Sequence, residues 1–359
     1  MNPHSSLTSR LSVWLDDRLP IAELKVLLSK KVAPQHKHAF WYFFGGLTLF
    51  FFGIQIITGI LLSMYYKPTT DQAHESIRFI TTEVQYGWLI RSLHAWSANL
   101  MIGTMFVHMF SVFLMKAYRK PRELMWISGV LLMFLVLGFG FTGYLLPWDT
   151  VAYFATLIGT EIPKTVPLIG DWGVSLLKGG EEVGGETLVR MYSIHIIVLP
   201  LMAVVLVSFH ILLNLAFGSS VPLGIQDRKP PLPFFPNFLY RDLIAWCIGF
   251  VALVALAVVF PPSLGDKADP LASAPVGIKP EWYFLPLYQT LKFAPTSFIG
   301  VSGELAVNGL VGLAAALWLL IPFLDTRSTK GQTSRLFTAI GVILVLYLAT
   351  TMAIAYAST

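Results

Sequence analysis

The amino-acid sequence predicts an all-α integral membrane protein with seven transmembrane helices, and three observations support this fold class. Hydrophobic residues make up 55% of the 359 residues and charged residues only 13%, which is too apolar for a water-soluble chain. The mean hydropathy is +0.67. Seven apolar stretches are long enough to cross a hydrocarbon core of about 30 Å, which takes about 20 helical residues. These stretches cover residues 39–65, 87–115, 124–146, 188–217, 241–260, 304–324 and 336–356.

The segment before the first apolar stretch, residues 1–38, mixes apolar and charged residues, and Pro20 interrupts it. A cleavable signal peptide would need an uninterrupted apolar core. The pattern therefore favours an amphipathic N-terminal segment that lies at the membrane surface.

Basic residues predict how the spans are oriented. In the N-terminal segment and in the connections after the second, fourth and sixth spans, Lys and Arg outnumber Asp and Glu, whereas acidic residues outnumber basic ones on the other side. By the positive-inside rule, the amino terminus is cytoplasmic. We expect a multi-pass protein of the bacterial inner membrane, in contact with anionic lipids, and nothing in the sequence suggests nucleic acid as a partner.

A polar segment divides the chain into two halves. Residues 218–240 are rich in proline, glycine and charge, which predicts a cytoplasmic linker. Residues 39–217 hold four spans and residues 241–359 hold three. Two external connections, 147–187 and 261–303, are long enough to suggest that they are structured and functional.

Four histidines lie inside the apolar stretches, at His94 and His108 in the second and at His195 and His210 in the fourth. Their intervals amount to about four helical turns, so each pair lies near one helix face about 21 to 22 Å apart. A single histidine on an apolar helix is usually packed and hydrogen-bonded. Two helices that each offer a histidine at two matching depths instead predict two metal sites stacked across the membrane, with bis-histidine haem as the natural candidate.

Glycines recur with the same spacing in two other spans. Gly45 and Gly59 lie in the first span, and Gly129 and Gly143 lie in the third. A glycine lets a bulky planar ligand lie against the helix backbone, which favours a haem-lined bundle of four helices. Ordinary close packing between membrane helices is the alternative.

The chain contains one cysteine, Cys247, which lies in an apolar span. It predicts a small packed hydrophobe, and it leaves no internal disulfide and no Cys-x-x-Cys-His motif for covalent haem. Phosphate-binding and dinucleotide-binding glycine motifs are also absent from the sequence. We therefore expect non-covalent haems in this chain and any iron–sulfur centre on another subunit.

Four short motifs accompany the distant histidines: Gln55-x-x-Thr58-Gly59, Arg91-x-x-His94, Gly143-Tyr144-x-x-Pro147-Trp148 and Pro280-Glu281-Trp282-Tyr283. Together they resemble cytochrome b of the quinol-oxidising cytochrome bc complexes, over nearly the whole length of the chain. The spacing in the fourth span, the Lys120–Leu124 segment and the count of seven spans are similar to the photosynthetic plastoquinol branch, in which the two halves are usually separate chains. Here both halves look fused.

The resemblance implies two b-type haems. His94 and His195 would hold the iron of the outer haem, and His108 and His210 that of the inner haem. Arg91 would meet a haem propionate, although a lipid-headgroup anchor is the alternative.

The resemblance also implies two quinone sites. On the outer side Glu281 would accept a quinol proton, with Tyr283 as a second catalytic candidate; the alternative for Glu281 is a solvated loop acid. On the cytoplasmic side Arg241 and Asp242 match positions near a quinone-reducing site, although a helix cap and anchor is the alternative. The pocket around Glu281 would be lined by Tyr144, Pro147, Pro280 and Trp282.

Four positions depart from the family pattern. Phe43 occupies the position of a cysteine that tethers an extra haem in the photosynthetic branch, so no covalent third haem is expected. Ser111 stands where many relatives have an arginine beside the inner haem. Asn214 and Leu215 replace basic residues that often follow the last histidine.

Together, these features predict the cytochrome b subunit of a quinol:cytochrome c, or related acceptor, oxidoreductase. Electrons would cross the membrane through the two haems with coupled proton translocation, in a Q-cycle. The resemblance implies a dimeric complex with a Rieske-type iron–sulfur protein, a c-type cytochrome and membrane quinone. Two alternatives remain: a dihaem membrane anchor of a formate dehydrogenase or hydrogenase, and a haem-free transporter or channel.

Overall fold

Seven long apolar helices dominate the computed structural model, which confirms the predicted fold class within the residues that the structure describes. Those residues are 13–15, 17–18, 31–162, 170–225, 229–298 and 300–358, so most of the predicted amphipathic N-terminal segment lies outside them. The spans are Ala39–Ser63, Gly87–Leu114, Glu123–Tyr144, Gly185–Phe217, Phe234–Val259, Gly303–Thr329 and Arg335–Ala357. We number them first to seventh.

The spans pack in sequence-related pairs. The first packs along the second, and the third packs along the fourth. The fifth span contacts both the first and the second, while the sixth contacts the third. Each span that carries histidines thus packs against a span that carries the recurring glycines.

The fourth span is irregular around one of its histidines. A π-helical turn, Ile194–Val198, separates the helices Gly185–Ser193 and Leu199–Phe217. Pro200 lacks an N–H and cannot bond the carbonyl four residues earlier, and the Leu199 N–H reaches the more distant Ile194 carbonyl instead. Such π turns are frequent at functional sites, and this one contains His195.

The predicted linker carries regular structure. Strand β1, Val32–Gln35, pairs antiparallel with strand β2, Lys229–Pro233, with Val32 opposite Pro233. The fifth span then begins at Phe234 rather than at residue 241. Proline restricts the backbone to extended angles that an edge strand accepts, so a proline-rich run was compatible with a strand as well as with a linker.

The two long external connections pack against each other. The Thr150 N–H bonds the Asp266 carbonyl at 2.9 Å, and the Ala268 N–H bonds the Trp148 carbonyl at 3.0 Å. Trp148 is only 1% exposed, in the middle of this contact. The connections are structured as expected, although Pro163 and Pro167 lie outside the described residues. Within the described part of the chain, the connections between the spans contain four short helices, Ala73–Thr82, Thr150–Glu161, Gly170–Lys178 and Leu285–Lys292. They also contain a hairpin in which strand β3, Ser297–Phe298, pairs with strand β4, Val301–Ser302.

The prediction for Cys247 was wrong in one respect. Its side chain is exposed on the surface of the fifth span instead of being packed in the interior. Hydropathy places a residue in a span but does not say which face of the helix it occupies.

Candidate functional site

The outer pair of histidines face each other across the bundle. The ring centroids of His94 and His195 lie 6.4 Å apart, with the ring planes at 69°. A metal–imidazole bond is about 2 Å long, so two imidazoles on opposite sides of one metal ion have ring centres about 6 Å apart. The spacing therefore fits a single metal ion between the two rings.

The inner pair lies in a cavity of about 410 Å³. His108 and His210 both line it, and they are close enough to interact electrostatically. Within the described ranges, no three His, Cys, Asp or Glu side chains gather as a metal cluster. A pair of histidines suits an iron whose remaining ligands come from a macrocycle better than a bare metal ion, which needs about four protein or water ligands.

The recurring glycines make room for the histidines themselves. A Cβ atom placed on Gly143 would lie 2.6 Å from His195 Cε1, and one on Gly59 would lie 3.3 Å from His94 Cε1. The other two glycines repeat the contact around the inner pair, Gly45 with His108 at 3.0 Å and Gly129 with His210 at 3.3 Å. The predicted role is thereby refined: each glycine accommodates an imidazole, which explains why the glycine spacing follows the histidine spacing.

Hydroxyl groups beside three of these glycines orient the imidazoles. The Nδ1 atoms of His94, His195 and His210 lie 2.9, 3.0 and 2.9 Å from the hydroxyl oxygens of Thr58, Thr142 and Ser128, respectively. The three hydroxyls donate their own protons to backbone carbonyls, those of Ile54, Gly138 and Met125.

The direction of these bonds determines which ring nitrogen is available. A hydroxyl has one proton, so a hydroxyl that donates to a carbonyl must accept from the histidine. Nδ1 then carries the proton and Nε2 is left with its lone pair. Sequence reasoning missed these three hydroxyls, although the signal was present as Thr58-Gly59, Ser128-Gly129 and Thr142-Gly143. His108 is different, because its buried Nδ1 has no partner within the described residues.

The wall of the inner cavity combines apolar side chains with a few polar ones. Asp242 Oδ1 and Ser220 Oγ are buried at this wall without a hydrogen-bond partner among the described residues. Arg241, which was predicted beside Asp242, is exposed and does not line the cavity. Adjacent residues on a helix point in different directions, so the predicted pair separates.

The inner cavity is lined by basic residues other than the arginine that many relatives have at position 111. Ser111 lines the cavity and donates to the His108 carbonyl at 2.7 Å. Its hydroxyl carries no charge and does not replace the arginine. Arg122 and Lys31 line the same cavity and bring positive charge from two other segments. Neither was predicted from the sequence. Asn214, Leu215 and Tyr42 also line this cavity.

Arg91 has partners that sequence reasoning did not foresee. Its guanidinium donates to the carbonyl oxygens of Pro262 at 2.7 Å and Ser263 at 3.1 Å. These carbonyls belong to the connection that follows the fifth span. Arg91 therefore ties this connection to the second span, one helical turn from His94.

The residues predicted for the outer quinol site gather around Glu281. Its side chain is half-buried, and burial raises the pKa of its carboxyl above the usual range. Glu281 is near enough to interact electrostatically with Tyr144 and Tyr283, and burial raises the pKa of the Tyr283 hydroxyl as well. The Tyr283 ring lies over Gly140, where a Cβ would meet its hydroxyl at 2.8 Å.

The other predicted pocket residues hold the loop in place. Trp282 donates from its indole nitrogen to Asn99 Oδ1 at 2.7 Å, which fixes the 280–283 segment to the second span. Pro280 and Pro147 are partly buried in the connections on either side. Glu281 is thus a half-buried acid among aromatic rings, which disfavours the alternative of a fully solvated loop acid.

Comparison with known proteins agrees with this architecture. Residues 28–218 match the family model described as "Cytochrome b/b6/petB", and residues 267–359 match "Cytochrome b(C-terminal)/b6/petD". The chain is 49% identical over 339 residues to a cytochrome bc complex cytochrome b subunit of Chlorobaculum thiosulfatiphilum, covering 93% of this chain and 78% of that protein.

Two further comparisons were informative. One is a sequence match to part of the chain, and the other is a match of nearly the whole chain to a solved structure. Over 215 residues the chain is 46% identical to cytochrome b6 of Cyanidium caldarium, covering 60% of this chain and 100% of that protein. A solved structure described as a hyperthermophilic respiratory Complex III has a TM-score of 0.84 and 30% identity, covering 96% of this chain and 90% of that one. These matches do not favour a dehydrogenase anchor or a transporter.

The fused arrangement of both halves is also confirmed, since the two family models match successive parts of one chain. Cytochromes of this family normally bind b-type haems and work in membrane complexes with other subunits. The chain therefore belongs to the cytochrome b/b6 family, and it is the cytochrome b subunit of a cytochrome bc complex.

Proposed function

We propose that this chain oxidises quinol at an outer site beside Glu281 and reduces quinone at an inner site beside Asp242, with two non-covalent b-type haems held between them. The observation that carries the proposal is the set of three imidazoles whose Nδ1 atoms are hydrogen-bonded to hydroxyls. That arrangement leaves Nε2 unprotonated at two depths of one helical bundle.

Four histidines and their neighbours would hold the haems. His94 with His195 and His108 with His210 would hold the two haem irons, and Arg122 and Lys31 would balance charge at the inner site. When bound, such haems supply two one-electron carriers at different depths in the membrane. Arg91 is within the outer part of the bundle and would help to hold the outer haem, while its bonds to Pro262 and Ser263 secure the loop.

Glu281 would act as the proton acceptor for quinol. Burial raises the pKa of its half-buried carboxyl, so it takes up a proton at a higher pH than a solvated acid does. Tyr283 and Tyr144 lie near this carboxyl and would position the quinol hydroxyl, and the proton would leave toward the outer side. Trp282 is hydrogen-bonded to Asn99 in the second span and would hold the 280–283 segment in place against the bundle.

Asp242 would serve the inner site. Its buried Oδ1 and the buried Ser220 Oγ have no hydrogen-bond partner among the described residues, and both residues line the cavity. A quinol hydroxyl placed there would donate to Asp242 Oδ1, and a quinone carbonyl would accept from Ser220 Oγ; an unpaired buried polar atom costs about 1 to 3 kcal/mol. Arg241, exposed on the same helix, would act at the membrane surface instead.

The partners and location follow from the same proposal. One electron from quinol would pass to a Rieske-type iron–sulfur protein and then to a c-type cytochrome or related acceptor, in a dimeric complex. The excess of basic residues in the 116–122 and 229–241 segments supports a cytoplasmic amino terminus in a bacterial inner membrane. Proton release outside and uptake inside would make the cycle energy-conserving.

Covalent haem attachment is tested by extraction. The chain has one cysteine, Cys247, which is exposed on the fifth span, and Phe43 offers no thiol. Acidic acetone is therefore expected to extract all the haem from the purified chain. Haem staining of this chain on a denaturing gel would contradict the prediction.

The contact between Gly143 and His195 provides a second test. In Gly143→Ala the added carbon would lie 2.6 Å from the imidazole, so the ring must move and the outer haem is expected to be lost or to bind weakly. Gly138→Ala in the same helix is the control, because its added carbon lies 3.8 Å from Leu199. Equal haem content and equal spectra in the two variants would show that Gly143 is not part of the site.

A further inference from the structure

One of the four imidazoles lacks the hydrogen bond that the other three share. His94, His195 and His210 each have a hydroxyl at Nδ1, whereas the buried Nδ1 of His108 has no partner among the described residues. The cause is visible in the sequence. The residue before the glycine is Thr58, Ser128 or Thr142 in three cases, but it is Phe44 beside Gly45.

The surroundings of Phe44 offer no substitute for the missing hydroxyl. Its ring packs on Phe40 and stacks on Trp41, with centroids 5.6 Å away in both cases. The next hydroxyl along the helix, that of Thr48, is bonded to the Phe44 carbonyl at 2.8 Å and lies 3.0 Å from Thr104 Oγ1. Phe44 therefore presents no oxygen at the position, next to the glycine, from which the other three imidazoles receive a hydroxyl partner.

A missing acceptor at Nδ1 changes how strongly a ligated imidazole donates electrons. When Nδ1–H donates a hydrogen bond, Nε2 becomes more basic and stabilises the more positively charged, oxidised metal. Removing that bond weakens the preference for the oxidised state and raises the reduction potential. Axial ligation and hydrogen bonding around it are among the means by which a protein sets that potential.

We propose that Phe44 raises the reduction potential of the inner haem relative to the outer one, by leaving His108 without a hydroxyl acceptor. Phe44 is a positioning residue in this proposal, since it acts through His108. The proposal rests on the proposed function, because it requires haem at the His108/His210 site. Its consequence is directional: electron transfer from the outer to the inner site is favoured by an asymmetry in the first span.

A pair of isosteric variants isolates the hydroxyl. Phe44→Thr and Phe44→Val remove the same ring and differ in one group, since threonine presents the hydroxyl that valine lacks. By analogy with Thr58, the new hydroxyl would donate to the carbonyl four residues earlier and accept from His108. A redox titration followed by the haem absorbance measures each haem separately, and haem content of both variants is counted first.

The inner potential of Phe44→Thr is expected to be lower than that of Phe44→Val. The expected change is at least about threefold in the redox equilibrium constant, or about 28 mV at 59 mV per decade for one electron. The outer potential should be equal in the two variants. Equal inner potentials in two variants that both retain two haems would overturn the proposal.

A reciprocal variant leaves Phe44 in place and so keeps the test valid if ring removal impairs folding. Thr58→Val removes the hydroxyl from His94, and the outer potential is expected to rise by a similar factor while the inner one stays unchanged. An unchanged outer potential would overturn the proposal. Absence of haem in the wild-type chain would instead contradict the proposed function, so the two failures are distinguishable.

Discussion

Replacing one histidine of either pair is expected to remove one haem and to leave the other at least partly assembled. In His94→Leu the outer haem loses an axial nitrogen, whereas the His108/His210 site shares helices with it but no ligand. His210→Leu should do the same to the inner haem. The amount of haem per chain, from the pyridine haemochrome spectrum, should fall to about half of the wild-type value because one of two ligand sets is broken in each variant.

His74 provides the matched control. It is a buried histidine outside the bundle, and its Nε2 bonds the Gly265 carbonyl at 2.8 Å. His74→Gln can keep that bond and should retain both haems. Two haems in His94→Leu or in His210→Leu would mean that the pairs are not the ligands.

The second large effect is expected at Glu281. Glu281→Gln preserves the shape of the side chain but removes the base, and a positioned base contributes about 10²- to 10⁴-fold to a rate. Quinol oxidation should fall at least about tenfold; this bound is set below that range because water can substitute in part for the carboxylate. Haem content should not change.

The pH dependence gives a sharper result. A proton acceptor works in its deprotonated form, and burial raises the pKa of the Glu281 carboxyl. The wild-type rate should therefore decline as the pH falls through that raised pKa, and Glu281→Gln should lose this decline. Glu304→Gln, at an exposed carboxyl at the start of the sixth span, is the control and should behave like the wild type.

An outer-site quinol analogue supplies an independent measurement, because Glu281 would line the proposed quinol site. Its affinity should change in Glu281→Gln and stay the same in Glu304→Gln. A variant with normal haem, normal turnover across pH and unchanged analogue binding would make Glu281 an ordinary loop acid.

Helical periodicity explains what the sequence could predict. The seven spans follow from hydropathy and length, and the matching histidine intervals predicted two stacked sites because the rise of a helix is fixed. The pairing of His94 with His195 came from the family resemblance and agreed with the predicted orientation of the spans. The recurring glycines were found by the same periodicity. The imidazoles that lie against these glycines were not predicted, since a spacing identifies a helix face but not what lies against it.

Contacts between distant segments could not be predicted in this way. Arg91 bonds carbonyls at Pro262 and Ser263, far along the chain, so a local pattern gives no sign of them. Arg122 and Lys31 reach the inner cavity from two different segments for the same reason. The Thr58, Ser128 and Thr142 hydroxyls were overlooked because hydroxyl residues are common in membrane helices and usually bond their own backbone.

The most direct test of the whole account is a haem count on the purified wild-type chain, combined with its reduced-minus-oxidised spectrum. The account predicts two b-type haems per chain, all of them extractable with acidic acetone, and a redox titration that resolves two components. A chain that binds one haem or none, or that shows no reducible b-type bands, would contradict the assignment of the four histidines.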